Sequence, residues 1–316
     1  MKPSTHATLG TSRKKQRKSE LSTALLAGLA ALLLSSIPLH AQVLLNDTFT
    51  NSTRTNQDLP NSAHWYAGGG GSTLIVTNNT LRLLTDGVQR QTVVYFTDSG
   101  TQTLGVGDSL SVSFSFLSSA YETTSDFRFG LFDSGSSRVT ADNLGNNPTN
   151  GVYADYKGYA LISNFGTATN GSTLRARTVT TNSLFTPSAF STLSGSTSGL
   201  GLTNGDTYYF TLTLTADSAT DMSLNILVKD SSDTTLINFS TTDTTNYHNN
   251  FDTFAFMSGT TSGNPPTNAT GAAIFLDDVL ITYSPVPEPG TTGMMLLGTC
   301  FALGLVLWRR RASRLG

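Results

Sequence analysis

The chain has one cysteine in 316 residues, Cys300, which lies in an apolar run near the C-terminus. No intrachain disulfide can form, so whatever folds between the termini must be held by a packed core. Charge is scarce as well: Asp, Glu, Lys and Arg make up 13% of the residues, against about 25% in an ordinary soluble protein. The charge present is segregated. Residues 1–41 carry six basic side chains and one acidic, residues 288–316 four and one, and residues 42–287 nine and nineteen, so the middle bears a net charge of −10. An acidic middle without Lys or Arg clusters excludes the usual footprint of nucleic-acid or anionic-lipid binding.

Two other absences bear on catalysis. Between Gln42 and Pro287 the only glutamate is Glu122 and the only histidines are His64 and His248. Most glycosidases need two carboxylates flanking the bond, and no paired-Glu strand motif exists here. Asp277 and Asp278 form the most conspicuous acidic pair, but neighbours on a strand point to opposite faces. Two histidines without metalloprotease spacing make no zinc site, and no nucleophile-elbow motif is present. The expectation is a non-enzymatic protein without a cofactor. Calcium stays open as a structural ion, since oxygen ligands are plentiful, yet no EF-hand-like or repeated Asp pattern names a site.

The ends of the chain carry addresses. "RKKQRK" precedes an apolar stretch from about Leu21 to Leu34, then Pro38, Leu39 and Ala41. This is the layout of a secretory signal peptide cut after Ala41, with the Sec translocon as the implied partner. At the other end, Gly290 to Trp308 holds no charged residue and is about as long as a helix needs to be to cross a bilayer. Arg309, Arg310, Arg311 and Arg314 follow, and arginines beside a membrane helix favour the cytoplasmic side. The expected organisation is a signal peptide over 1–41, a sandwich over 42–284, and a tail over 285–316 with a transmembrane helix at 290–308.

The middle reads as strands. In "SLSVSFSFLSS", Leu110, Val112, Phe114 and Phe116 alternate with serines; in "DTYYFTLTLTAD", Tyr208, Phe210, Leu212 and Leu214 alternate with Tyr209 and threonines; "DMSLNILVKD" repeats the pattern. A period of two places one apolar face on each strand. "TLIVTNNTLRLLT" reads as a hairpin turning at Asn78 and Asn79, residues that tolerate left-handed dihedrals. Further strands are expected at "QTVVYFTD", "DFRFGLFDS", "VYADYKGYALIS", "NFDTFAFMSG" and "AAIFLDDVLITY", and no amphipathic helix interrupts them. The fold class is all-β, a two-sheet antiparallel sandwich.

Two resemblances add to this reading. Val286-Pro287-Glu288-Pro289, the apolar span and the arginine stop resemble the PEP-CTERM sorting signal of exported bacterial proteins. That implies recognition by an exosortase-type processing enzyme, at least transient anchoring in the inner membrane, and delivery to the cell surface or beyond. "LLNDTFTN", "LGVGDSLSVSFSF", "FRFGLFDS" and "AAIFLDDVLITY" resemble the jelly roll of concanavalin A-like lectin/glucanase domains. This implies that the first and last strands pair, with Phe49 near Ile281, and that a concave face holds a glycan; it does not imply catalysis.

For polysaccharide binding, "GVYADYKGYA" would place Tyr153, Asp155, Lys157 and Tyr159 on one strand face, with Trp65 and Tyr66 contributing from a loop. A second reading stays open, in which the tyrosines cap the core and Asp155 and Lys157 sit at an exposed edge. Mass spectrometry of the exported protein is expected to find Gln42 at the N-terminus; a chain starting at Met1 would overturn the signal-peptide reading.

Overall fold

The computed structural model describes residues 40–69, 73–84, 89–119, 125–135, 137–143, 149–166, 171–193, 200–259 and 273–286, together with Gly298 and Gly304. The signal peptide up to residue 39, Glu122, Pro287, Glu288, Pro289, Cys300, most of the expected membrane helix and Arg309, Arg310 and Arg311 lie outside the described residues. Gly298 and Gly304 are helical, and no helix among the described residues is long and apolar enough to cross a membrane. The chain separates into a unit spanning His40–Val286 and a second made of Met1–Leu39 and Pro287–Gly316; the first carries the fold.

That unit is all-β, as the alternation predicts, with two large antiparallel sheets. The eight-stranded sheet runs from β3 (Leu74–Thr77) through β4 (Thr80–Leu84), β17 (Ala273–Ser284), β7 (Ser109–Ser118), β12 (Thr207–Ala216) and β13 (Met222–Asp230) to β14 (Thr235–Asp243). The first strand, β1 (Gln42–Asp47), also pairs with β17. β7 occupies one edge of β17, while β4 and β1 share the other, against Ala273–Leu276 and Val279–Tyr283 respectively. The seven-stranded sheet runs β11 (Phe190–Thr192), β10 (Thr173–Arg177), β9 (Lys157–Asn164), β8 (Asp126–Asp133), β16 (Thr253–Gly259), β5 (Arg90–Tyr95), β2 (Trp65–Gly68). A small ladder joins β6 (Gln102–Thr103) to β15 (Asn250–Phe251).

Local chemistry accounts for the details. Thr77 pairs with Thr80, and Asn78 and Asn79 take φ of 51° and 59°, the left-handed pair that a two-residue hairpin demands. The apolar residues of β7, β12 and β13 face the other sheet and are buried, while their Ser, Thr and Asn partners form the outer surface. Ser111 and Thr213 meet across strands at 3.1 Å, as do Asn225 and Asn238 at 3.0 Å. Hydroxyl and amide pairs thus solvate this face in place of charge. Between the sheets, phenylalanines from β7, β8, β12 and β16 pack edge to face, Phe116 against Phe127 at 4.8 Å and Phe114 against Phe129 at 5.0 Å.

The structure corrects three expectations. The first and last strands do pair, but Leu45, not Phe49, stands opposite Ile281. Phe49 lies past the end of β1 at φ 53°, buried against Trp65 at 5.6 Å. In β17 the register shifts between Asp277 and Leu280, and Asp278 takes φ 50°. This bulge breaks the alternation, so Asp277 and Asp278 both turn away from the core. Finally, one apolar face per strand holds only for the eight-stranded sheet. β5 and β16 are buried along their whole length and β8 nearly so, because a second cluster built from Val139, Tyr153, Tyr156, Leu184, Phe185 and Ala189 covers the outer face of their sheet.

A buried carboxyl ties the first strand to this sheet. Asp47 accepts hydrogen bonds from the Phe49 amide at 3.0 Å, the Ala63 amide at 3.3 Å and the Trp65 indole at 2.9 Å. Burial pushes its carboxyl above the ordinary value, against those three bonds. Trp65→Phe removes the indole donor from a buried acceptor and is expected to cost about 1–3 kcal/mol in denaturant unfolding; an unchanged midpoint would show that the bond carries no stability.

Candidate functional site

Beside the loops that cover the seven-stranded sheet lies a cleft of about 790 Å³, at the end of β8, β9 and β10. Its wall begins in the segment Gly151–Asp155, a short 3-10 helix whose N-cap, Asn150, accepts a hydrogen bond from the Val152 amide. The chain then enters β9 through Gly158 at φ 146°, where a Cβ would stand 2.2 Å from the Leu131 carbonyl oxygen. Only glycine permits that approach, and it sets Lys157 at the cleft's rim.

Arg177, at the end of β10, is 1% exposed and organises the floor. Its guanidinium donates to the carbonyls of Tyr156, Leu184 at 3.3 Å and Thr181 at 2.8 Å. One side chain thus ties the 3-10 segment and the loop after β10 to the sheet. Burial without a facing carboxylate in an ion pair pulls its pKa down to about 10. The opposite wall is the turn after β14. Asp243 Oδ1 accepts from the amides of Thr245 and Asn246, both at 2.9 Å, which turns the chain and places Tyr247 and His248 in the cleft.

His248 is locked. Its backbone amide donates to the Tyr159 hydroxyl at 3.0 Å, and its ring Nε2 lies 3.2 Å from the Arg177 carbonyl oxygen. A carbonyl only accepts, so Nε2 carries the hydrogen and Nδ1 the lone pair. Burial disfavours the imidazolium and holds the pKa below the ordinary value, outweighing the Arg177 carbonyl and the Asp243 and Asp133 charges. Around this neutral ring stand two carboxylates and an ammonium. Asp133 Oδ1 accepts from the Gly135 amide at 2.9 Å, Asp155 Oδ2 from the Ser137 hydroxyl at 3.0 Å, and Lys157 is exposed. Acceptors, a donor and the half-exposed ring of Tyr247 therefore converge on one concavity, the kind of mixture that orients a polar ligand.

The structure divides the residues singled out in the sequence. Asp155 and Lys157 line the cleft. Tyr153 and Tyr159 do not share a strand face with them: Tyr153 is in the 3-10 helix, 2% exposed beneath the outer loops, and Tyr159 is fully buried in the core between the sheets. The strand begins at Lys157, five residues later than the alternation suggests, because Asn150 caps a helical turn first. Tyr153 and Tyr159 are buried and Asp155 and Lys157 exposed, but Lys157 opens a strand flanked by β8 and β10 and so does not sit at a sheet edge. Trp65 is no loop residue; it opens β2, fully buried, with its indole on Asp47. Tyr66 is half-buried away from the cleft, stacked on His64 with centroids 4.1 Å apart. Ala41 is exposed just ahead of β1, and Val286 is 47% exposed.

Arg177, Tyr247 and Asp133 were not legible as site residues. His248 was visible as one of two histidines in the middle, but nothing in its neighbours along the chain indicates Arg177 or Tyr159. Among the described residues, no group of three or more His, Cys, Asp or Glu side chains is placed to hold a metal ion.

The depressed pKa of His248 makes a testable link to stability. The unfolded ring takes up its proton near the ordinary value of about 6.5 while the folded one resists until lower pH. The contribution is therefore complete above the ordinary value and is lost as pH falls through it towards the folded value. Unfolding free energy is expected to drop between about pH 7.5 and 5 less steeply in His248→Gln than in the unaltered chain; identical slopes would show that the ring titrates freely.

Comparisons with known proteins bear on both parts of the chain. No curated protein matches it in sequence. Among solved structures it is similar to the exoplasmic/lumenal domain of VIP36 in a Ca2+/Man3GlcNAc-bound form, with 10% identity over 79% of this chain and 92% of that one and a TM-score of 0.47. It is similar to the carbohydrate recognition domain of Emp47p, with 15% identity over 77% and 95% and a TM-score of 0.43. The alginate lyase Aly36B gives 15% identity over 78% and 97% and a TM-score of 0.43. In sequence, a family model matches directly behind the last strand: residues 285–311 are a PEP-CTERM protein-sorting motif.

Proposed function

We propose that this is an exported, exosortase-sorted bacterial protein of the cell surface or extracellular matrix whose sandwich binds polysaccharide, without cleaving it, in the cleft between Asp155, Lys157, Tyr247 and His248. The observation that carries the reading is the cleft itself, about 790 Å³ of space lined together by Asp133, Asp155, Lys157 and Tyr247. Sugars present hydroxyls that both donate and accept, and apolar ring faces that pack on aromatic rings. The acidic surface of the middle segment favours a glycan that is neutral or only weakly acidic.

A hydrolase is the competing reading, since Asp133 and Asp155 line the same cleft. A general acid needs a carboxyl held protonated near neutral pH, which takes desolvation. Asp155 is exposed and Asp133 only half-buried, so the site supports binding better than bond cleavage. The experiment is calorimetric titration of residues 40–286 with the producing cell's own extracellular polysaccharide, with reducing ends assayed in the same sample. Saturable binding without new reducing ends is expected, weakened about tenfold or more by Lys157→Ala or Tyr247→Ala. New reducing ends would establish the hydrolase, and unchanged affinity in both variants would place the binding elsewhere.

A further inference from the structure

The second residue of the sorting motif, Val286, is fastened to the sandwich. Asp108, in the turn before β7, accepts from the Val286 amide at 2.8 Å through Oδ1. Its Oδ2 accepts from the Tyr283 hydroxyl at 2.6 Å and the Gly105 amide at 2.8 Å. The turn is itself pinned to β12, since Gly107 N–H donates to the Ala216 carbonyl at 2.6 Å and Ala216 N–H to the Asp108 carbonyl at 3.0 Å. Val286 also lies over Gly107, where a Cβ would stand 2.7 Å from Val286 Cγ2 and φ is +90°. Three donors on one carboxylate outweigh its partial burial and hold Asp108 below the ordinary pKa. Val286 is thus engaged through both its amide and its side chain, one residue before Pro287.

We infer that Asp108 is a latch on the sorting motif: it holds Val286 to the folded sandwich, and its release sets how fast the processing enzyme acts on the tail. Enzymes that read a peptide segment take it in extended form, with residues on both sides of the recognised motif drawn away from other partners. While Val286 is held, the residues before Pro287 are not free to follow. Processing then proceeds only through the released form, and its rate tracks the population of that form. The cleavage chemistry belongs to the partner enzyme; the sandwich governs access.

The test is a pulse-chase of the full chain in its producing cell, following conversion of the exported precursor to the processed form. Asp108→Ala, which removes both acceptor oxygens and with them all three bonds, is expected to accelerate conversion about tenfold, as loss of a charge-assisted bond shifts an opening equilibrium by that order. Leu184→Ala, a truncation in the loop packed on the outer face of the other sheet, lowers stability without touching the latch and is expected to leave the rate within about twofold. Equal rates for Asp108→Ala and the unaltered chain would overturn the proposal, as would equal acceleration by Leu184→Ala or the absence of any conversion. Independently, hydrogen exchange on the purified full chain is expected to show the Val286 amide protected and Asp108→Ala removing that protection. A Val286 amide that exchanges freely in the unaltered chain would overturn the latch whatever the rates.

Discussion

The contact between the two sheets is where the fold is decided. Rings from β7, β8, β12 and β16 meet across the sandwich, with Phe127 tilted against Phe210 at 4.9 Å and set edge-on to Phe116 at 4.8 Å. With the only cysteine at position 300, no covalent tie supplements this contact within the sandwich. Truncating one such ring costs about 3–5 kcal/mol, a large part of the total stability of a domain. The spacing these rings impose fixes the strand registers, and the registers fix where the loops at the sheet ends can land.

The second constraint is that the seven-stranded sheet is buried on both faces. Loops carrying Val139, Tyr153, Leu184 and Phe185 lie on its outer side, so a ligand has no open sheet face there to occupy. Buried polar groups hold those loops down. Tyr95 is bonded to Tyr156 at 2.6 Å and to the Val139 amide at 2.5 Å, and its burial raises the phenol pKa to about 12. Arg138 lies 4.8 Å above the Tyr95 ring and is bonded to Asp252. Beside this cover lies the cleft, lined by Arg177, whose guanidinium holds the loop after β10 through the Leu184 and Thr181 carbonyls.

Much of the fold was legible because alternation is a local signal. β7, β12 and β13 each show one apolar face in sequence and one in space, and Asn78-Asn79 announces its own turn. The strands of the seven-stranded sheet were found, but not their second buried face, since an apolar residue at an alternate position does not reveal that a distant loop will cover it. The site was less legible still. Asp155 and Lys157 stand out in sequence because they lie between two tyrosines at alternate positions, whereas a strand pattern extended through a capped helical turn misplaces Tyr153 and Tyr159. Arg177 and His248 are 71 residues apart, and their meeting depends on which strands pair, information that no single segment holds. Trp65 was read as a binding ring although its partner, Asp47, is 18 residues away and buries it.

The position of β17 affects how the molecule comes to exist. It is the last strand made, yet it lies inside the eight-stranded sheet with β7 on one edge and β1 and β4 on the other, so Gln42 waits for Tyr283 before it has a partner. A chain made N-terminus first therefore carries that sheet in two separate halves until its last residues are made. Long-range closure of this kind is slow, and the unpaired edges it leaves are prone to misassembly. The gap closes only when the final strand emerges, immediately ahead of the sorting motif. Synthesis of the motif and completion of the sheet thus fall together in the history of each molecule, and a chain interrupted before residue 273 would be left with its central seam open.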